Sequence, residues 1–372
     1  MASFEMNQDM TIEILSHLPA SVVQKFRTLN KECNKRTYDS SFLKLNLQRT
    51  NSVSGYFLEY REILTVHSAF VKDLGNSTPH GSEVSLDFLR PGKVKIEACD
   101  ASHGILLCVN DRPVRGREPE YIVCKPTTKQ YLVIPRPKTR YFTIALGLMV
   151  IRSNPIRYKI LRLSKLPSKE NKLDNFNPTF VCEVFDSDSF TWKRLTNVEL
   201  PEDDFPKNSK PVASYGFLHW LTTNNNVPEN LARDRSLKLA RYEGKLGVIS
   251  SRSKKGLGLS RDMGLEPVGF SSNDVVTLAD VDRICLYNMN NEESQNLQIR
   301  APNFFPLHYS TMSYFPLYSD FERVEFNRRF NAINWLSDYD EEIRGLMKCI
   351  FKLILYYALT MLASYMESSN SM

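Results

Sequence analysis

The chain has 372 residues, of which 42% are hydrophobic, 24% charged and 11% aromatic, a composition that excludes collagen-like, mucin-like and wholly disordered classes. Lys plus Arg is 48 against 42 for Asp plus Glu, a net charge of +6; at this length so small a surplus is too diffuse to argue by itself for nucleic acid as a partner. The cysteines number 7, with no C-x-x-C pair, which disfavours a disulfide framework and a structural zinc site and favours a reducing compartment. Met1 to Met10 contains Glu5 and Asp9 and no apolar core, so no signal peptide is expected. The Asn76-Ser77-Thr78 sequon is expected to be idle, and the expected location is intracellular, in the cytoplasm and/or nucleus.

The first fifty residues are predicted to be helical. Asp9 caps a helix through Met10, Ile12, Ile14 and Leu15, which Pro19 stops. Ser21 opens a second apolar-faced turn with Val22, Val23 and Phe26, and Asn30 caps a third helix from Cys33 to Tyr38, followed by an apolar run at Phe42, Leu45 and Leu47. Helices this short depend on packing for stability, and a unit this small needs a partner or a neighbouring domain.

Beyond residue 53 the pattern changes to short strand-like pieces separated by turn residues. Val94–Ile96, Ile105–Val109, Tyr121–Cys124 and Tyr131–Ile134 come first, then Arg157–Leu163, Phe180–Phe185, Tyr215–Leu221, Leu237–Tyr242, Leu246–Ser250, Val275–Leu278 and Ile284–Asn288. Such spacing fits a sandwich, barrel or propeller. Two internal echoes favour the propeller: Ser102 to Leu107 resembles Ser214 to His219, and Tyr121 to Lys129 resembles Val181 to Trp192. The C-terminus is a third regime. Asp320 to Lys348 is charged, and Leu353–Met366 is an uncharged run, shorter than the roughly 20 residues of a membrane-spanning helix. It reads as a buried or partner-docked helix, with Phe351, Leu355 and Leu359 on one face, or as a tail anchor.

The six histidines show no H-x-x-x-H spacing, and neither G-x-S-x-G nor G-x-x-x-x-G-K-[ST] occurs, so no metal, cofactor or catalytic residue is expected. Arg252-Ser253-Lys254-Lys255 reads as a solvated loop, and Trp192 and Trp220 as core residues. The helical segment holds more apolar side chains than it can bury, with Lys25, Arg27, Lys31, Lys35 and Arg36 among them, a surface suited to an acidic partner.

The segment Glu13-Ile14-Leu15-Ser16-His17-Leu18-Pro19, with Val22-Val23, Lys25-Phe26-Arg27, Lys31 and Ser41-Phe42, resembles the F-box of plant F-box proteins. Met6 and Asn7 stand where the opening Leu-Pro is usual, Asn30 where Cys is usual and Cys33 where Trp is usual. The middle of the chain looks like the F-box-associated domain of the same family, a kelch-like propeller. The matching stretches are Ser85–Leu89, Ser102–Cys108 (with His103 for Asn), Tyr121–Lys129 (with Lys125 for Asn), Val181–Trp192, Gly216–Leu221 and Lys245–Gly247.

The resemblance implies an α+β multidomain chain: a three-helix F-box at 1–48, a connecting segment at 49–93, an all-β propeller-like domain at 94–318, and a charged segment with an apolar C-terminal helix at 319–372. It implies a non-catalytic substrate-recognition subunit of a Skp–cullin–F-box ubiquitin ligase. Ile14, Leu15, Leu18, Pro19, Val22, Val23, Phe26 and Lys31 would contact the Skp-type adaptor, which connects to a cullin. A target protein would bind the polar loops at 165–178, 199–211 and 222–236. No nucleic acid, membrane, metal or cofactor is expected. The alternatives are a degenerate F-box scaffold not assembled into a ligase and a propeller enzyme, for which paired acids in a cleft would be needed.

Overall fold

The computed structural model describes residues 8–27, 31–62, 65–72, 84–89, 94–110, 119–153, 155–165, 179–200, 204–206, 210–214, 216–224, 235–243, 245–252, 265–279, 283–298 and 313–326. The expected C-terminal helix lies outside these residues.

The described chain is mostly β, preceded by four short helices, α1 (Gln8–Ser16), α2 (Ala20–Arg27), α3 (Lys31–Arg36) and α4 (Ser40–Arg49). The fourth is a correction to the three expected. Its start is fixed by Asp39, whose carboxylate accepts from the Ser41 amide at 2.9 Å, satisfying one of the amides a helix start leaves bare. Phe42, Leu43 and Leu47, which the sequence presents only as an apolar run, share one face of α4. With Leu15 and Val23 they form the core of the helical unit.

The strands follow as β1 (Ser52–Glu62) and β2 (Thr65–Lys72); β3 (Val94–Asp100), β4 (Ile105–Asn110), β5 (Glu120–Lys125) and β6 (Gln130–Ile134); β7 (Phe142–Ser153), β8 (Ile156–Lys165), β9 (Thr179–Asp186), β10 (Thr191–Arg194) and β11 (Val198–Glu199). Then come β12 (Asp204–Pro206), β13 (Val212–Ser214), β14 (Phe217–His219) and β15 (Thr222–Asn224); β16 (Arg235–Tyr242) and β17 (Lys245–Arg252); β18 (Glu266–Phe270), β19 (Val275–Ala279), β20 (Arg283–Asn288) and β21 (Ser294–Gln298); and β22 (Ser313–Asp320).

β3 to β6 make one antiparallel meander, β7 to β10 a second and β18 to β21 a third, while β13–β14, β12–β15 and β16–β17 are paired hairpin strands. The leading strands lie side by side: β22 against β3, β3 against β7, β7 against β13, β13 against β16 and β16 against β18. The succession closes on itself because β1 pairs with both β2 and β22, matching Gly55 to Leu317 and Phe57 to Phe315. Residues 52–72, expected as part of a connecting segment, are thus β-domain strands, and the domain continues past 318 through Asp320 to a bridge between Phe326 and Ile156.

Apolar cores fill the spaces between neighbouring sheets. Phe57, Ile96, Leu106 and Phe315 pack between the closing sheet and β3–β6. Leu107, Leu148, Tyr158 and Phe185 pack between β3–β6 and β7–β10. Tyr56, Val268, Ile284 and Leu286 join β18–β21 to the closing sheet. Burying large side chains face to face is the main stabilising term of such layers. The arrangement is compatible with a propeller-like ring.

Polar residues at two sites where the sequence departs from the pattern it resembles have structural roles. The Lys125 ammonium, 4% exposed, reaches Asp320 at 2.5 Å, and Thr127 donates to the Asp320 carbonyl oxygen at 2.7 Å, latching β5 to the closing strand. His103 Nδ1 lies 2.9 Å from Asp100. Immediately after His103, Gly104 has φ +64°, and a Cβ there would sit 2.2 Å from Ser319 Oγ, so only glycine makes this turn. Trp220 is buried against Gly147, and half-buried Trp192 donates to the Pro135 carbonyl at 2.6 Å.

Candidate functional site

The helical unit divides its apolar residues between an interior and a surface. Leu15 is 2% and Val23 0% exposed, in contact with Phe42 and Leu43. Both were expected on the partner surface; in this structure they are buried in the core that holds the helices together. Leu18, Pro19 and Val22 are half-buried. Ile14 at 48%, Phe26 at 37% and Met10 at 57% are exposed. Met10 and Ile14 lie one turn apart on α1, so they share a face. Met10 was missed from the sequence, although its spacing to Ile14 is the signal that finds it.

Charges border this surface. Arg36 bonds Asp9 at 2.9 Å and Glu32 at 3.1 Å. Arg49 bonds Glu13 at 2.7 Å, and this hydrogen bond holds the Glu13 carboxyl below its ordinary range. Arg27 donates to the Thr37 carbonyl at 2.7 Å and lies 3.8 Å over the Tyr38 ring. Of the basic side chains expected to meet an acidic partner, Arg27 and Arg36 are thus engaged within the unit. Lys31 and Lys35 stand exposed on α3.

The unit is fixed to the β-domain by polar contacts that sequence reasoning did not find. Asn46, fully buried on α4, donates to the Ser16 and Leu18 carbonyls at 3.0 and 2.9 Å, and accepts from the Tyr318 hydroxyl at 2.5 Å. Burial pushes the Tyr318 hydroxyl up to about 12. Ser40 donates through its amide and its hydroxyl to Asp274, at 3.2 and 2.6 Å. Burial works against the Asp274 charge, but the Ser40 and Ser272 hydroxyls outweigh it and hold the carboxyl below its ordinary value. The Asn273 amide donates to the Tyr38 carbonyl at 2.9 Å. The only signal for these contacts in the sequence is a lone Asn within an apolar helical run.

The expected target-binding loops are only partly described. Within 199–211 and 222–236, β12 and β15 pair with each other, Asp204 opposite Asn224, and Lys210 points inward, donating to the Ile96 carbonyl at 3.2 Å. The described parts of these stretches thus pair or pack within the β-domain; residues 201–203, 207–209 and 225–234 lie outside the described residues. Residues 166–178 lie outside the described residues. Among the described residues no group of His, Cys, Asp and Glu could hold a metal ion, and no helix is long and apolar enough to cross a membrane.

A short helical segment with exposed apolar side chains, joined to a succession of antiparallel sheets, defines the class: a mostly β protein with a small helical unit at its start. No family model matches the chain. F-box protein At5g41720 of Arabidopsis thaliana is 51% identical over 169 residues, covering 44% of this chain and 89% of that protein. F-box protein At5g49610 of the same plant is 30% identical over 228 residues, with 57% of each chain covered. A solved structure, TolB from Acinetobacter baumannii, aligns with a TM-score of 0.26 at 11% identity over 76% of this chain and 71% of that one. The chain belongs to the plant F-box protein family.

Proposed function

We propose that the chain is the target-recognition subunit of a Skp–cullin–F-box ubiquitin ligase, and that it performs no covalent step itself. The observation that carries this reading is the exposed apolar set Met10, Ile14 and Phe26, on a unit fastened to the β-domain by buried hydrogen bonds. Apolar side chains left exposed among the described residues suit a partner site. Exposed Lys31 and Lys35 beside it suit an acidic Skp-type adaptor and would speed association more than they add affinity. The adaptor would connect the chain to a cullin in the cytoplasm and/or nucleus. The β-domain, read as a propeller closed by the β1–β22 pairing, would hold a target protein, raising the concentration of its lysines near the ubiquitin-charged enzyme.

The test is a titration of the full chain against a purified Skp-type adaptor. Ile14→Asp with Phe26→Asp should weaken binding by a hundredfold or more while leaving the melting temperature nearly unchanged. Lys31→Glu should mainly slow association. Failure of the unmodified chain to bind would leave the interaction scaffold as the better reading.

A further inference from the structure

The first strands of the sheets enclose a cavity of about 180 Å³. Its wall is formed by β1, β3, β16, β18 and β22, and Arg27, Tyr38 and Leu43 of the helical unit line one side. Much of the surface is apolar and buried, including Tyr56, Leu239, Val268, Phe315 and Leu317.

The charges lining it are unbalanced. The acids are Asp100 and Glu243; the bases are Arg27, Lys210, Lys238 and Arg241. Both Asp100 oxygens are committed, one to His103 at 2.9 Å and one to the Val150 amide at 3.1 Å, and Glu243 faces Lys245 at 3.8 Å. Arg27 is held by Thr37 and Tyr38, Arg241 donates to Ser102 at 2.6 Å, and Lys210 has the Ile96 carbonyl and Glu97. Lys238 differs. Among the described residues it has no hydrogen-bond or ion-pair partner; the charged groups that act on it from farther off are Glu266, which favours its ammonium, and Lys210, which opposes it, and of these two Lys210 lines the cavity. Burial depresses both Lys238 and Lys210 below their ordinary values. An ammonium with no hydrogen bond or close ion pair of its own in such a place is costly, and an anion entering the cavity would relieve that cost.

We propose that this cavity binds a small organic anion, a carboxylate carried on an apolar ring, with its charge on Lys238 and its ring against the wall of Tyr56, Leu239 and Phe315. The volume sets the size: an apolar cavity of roughly 150 Å³ takes up benzene, so one aromatic ring with its carboxylate fits. A bare inorganic anion would leave the apolar wall unfilled. A neutral ring would leave Lys238 unpaired.

The test is calorimetric titration and thermal denaturation of the full chain with benzoate, with its neutral isostere benzamide, and with inorganic phosphate, in the absence of any adaptor. Benzoate should bind saturably and raise the melting temperature, with benzamide and phosphate at least tenfold weaker. Lys238→Met should lose tenfold or more in benzoate affinity while raising the melting temperature of the unliganded chain, because an unpaired charge is removed. Lys245→Met, whose side chain is 59% exposed, should change neither. Lys238→Gln supplies the same comparison should the Met variant fold poorly. Equal binding of benzoate and benzamide, phosphate binding as tightly as benzoate, no benzoate response at millimolar concentration, or full affinity in the Lys238 variants would each overturn the proposal. None of these readouts involves adaptor docking, so the two readings fail separately.

Discussion

The helical unit and the β-domain solve the problem of burial differently. In the β-domain, sheet faces meet sheet faces around the ring, and Phe57, Phe180, Phe185 and Phe315 are all fully buried. Charges are paired in its interior too: Arg162 and Glu183, directly opposite on β8 and β9, meet at 2.6 Å with 3% exposure each. The helical unit has five buried apolar side chains in its own core and leaves Met10, Ile14 and Phe26 outside. It borrows its remaining stability from the ring through Asn46 and Ser40. The difference teaches that the β-domain buries its large apolar side chains within itself, whereas the helices are completed on one side by that domain and leave apolar side chains exposed elsewhere.

The comparison is sharpened most by removing a large side chain from the ring. Phe185 has Trp192 and Phe190 at 5.5 Å and Tyr158 at 6.1 Å between ring centres. Phe185→Ala should cost about 3–5 kcal/mol, read as a lower denaturant midpoint for the ring's unfolding.

Next in size is a pH effect confined to the ring. Glu59 on β1 is 5% exposed, and burial pushes its carboxyl from 4.5 up to about 7, partly offset by the Ile96 amide, Lys210 and Lys95, with Glu97 adding to the rise. Between those two values the folded state keeps the proton and the unfolded state releases it, so stability falls as pH rises from about 4.5 to about 7. The full difference is about 3 kcal/mol as an upper figure. Glu59→Gln keeps an acceptor for the Ile96 amide, and should flatten that part of the stability profile and make the chain more stable at pH 8. An unchanged profile would show that Glu59 is ionised in the fold.

How much of this was legible in the sequence follows from the same contrast. Strands such as β4, β5, β9 and β20 were readable because short apolar runs end in clear turn residues, as at Pro126–Thr128 with Lys129 at φ 54°. β7 was missed: Phe142 to Ser153 runs apolar through its middle without alternation, because five successive residues are buried on both faces. The pairing of β1 with β22 was missed because it runs from Glu59–Ser313 to Ser52–Asp320, across most of the chain, and nothing local announces a closing pair. The helical segment was readable as helices, but not which apolar residues face inward, since Ile14 and Leu15 are adjacent and chemically alike. Only packing against Phe42 and Leu43 separates them. Lys210 and Lys238 looked like ordinary surface lysines, and the ring alone turns them inward.

The join between the two regions comes third. Asn46→Ala leaves the Ser16 and Leu18 carbonyls and the Tyr318 hydroxyl without their partner, at a cost of about 1–3 kcal/mol. Hydrogen exchange should register the loss in α1 to α4 first, with the amides of β3 to β9 protected as before. Equal loss of protection in both regions would mean that helices and ring unfold as one unit, and the contrast drawn above would fail.

The smallest expected effect bears on the outer face of the helices. Ile14→Ser removes an apolar side chain that is 48% exposed, so little burial is forfeited, and the change in stability should stay within about 0.5 kcal/mol. Ser has a lower helix propensity than Ile only slightly, which keeps α1 intact. Leu15→Ser, one residue along but 2% exposed, should by contrast unfold the helical unit, because it puts a hydroxyl in a core of five side chains with no acceptor built for it. Thermal melts of the two variants side by side decide the matter. If Ile14→Ser destabilises the isolated chain as much as Leu15→Ser, Ile14 is part of the fold's own core, and the face assigned to a partner is already occupied.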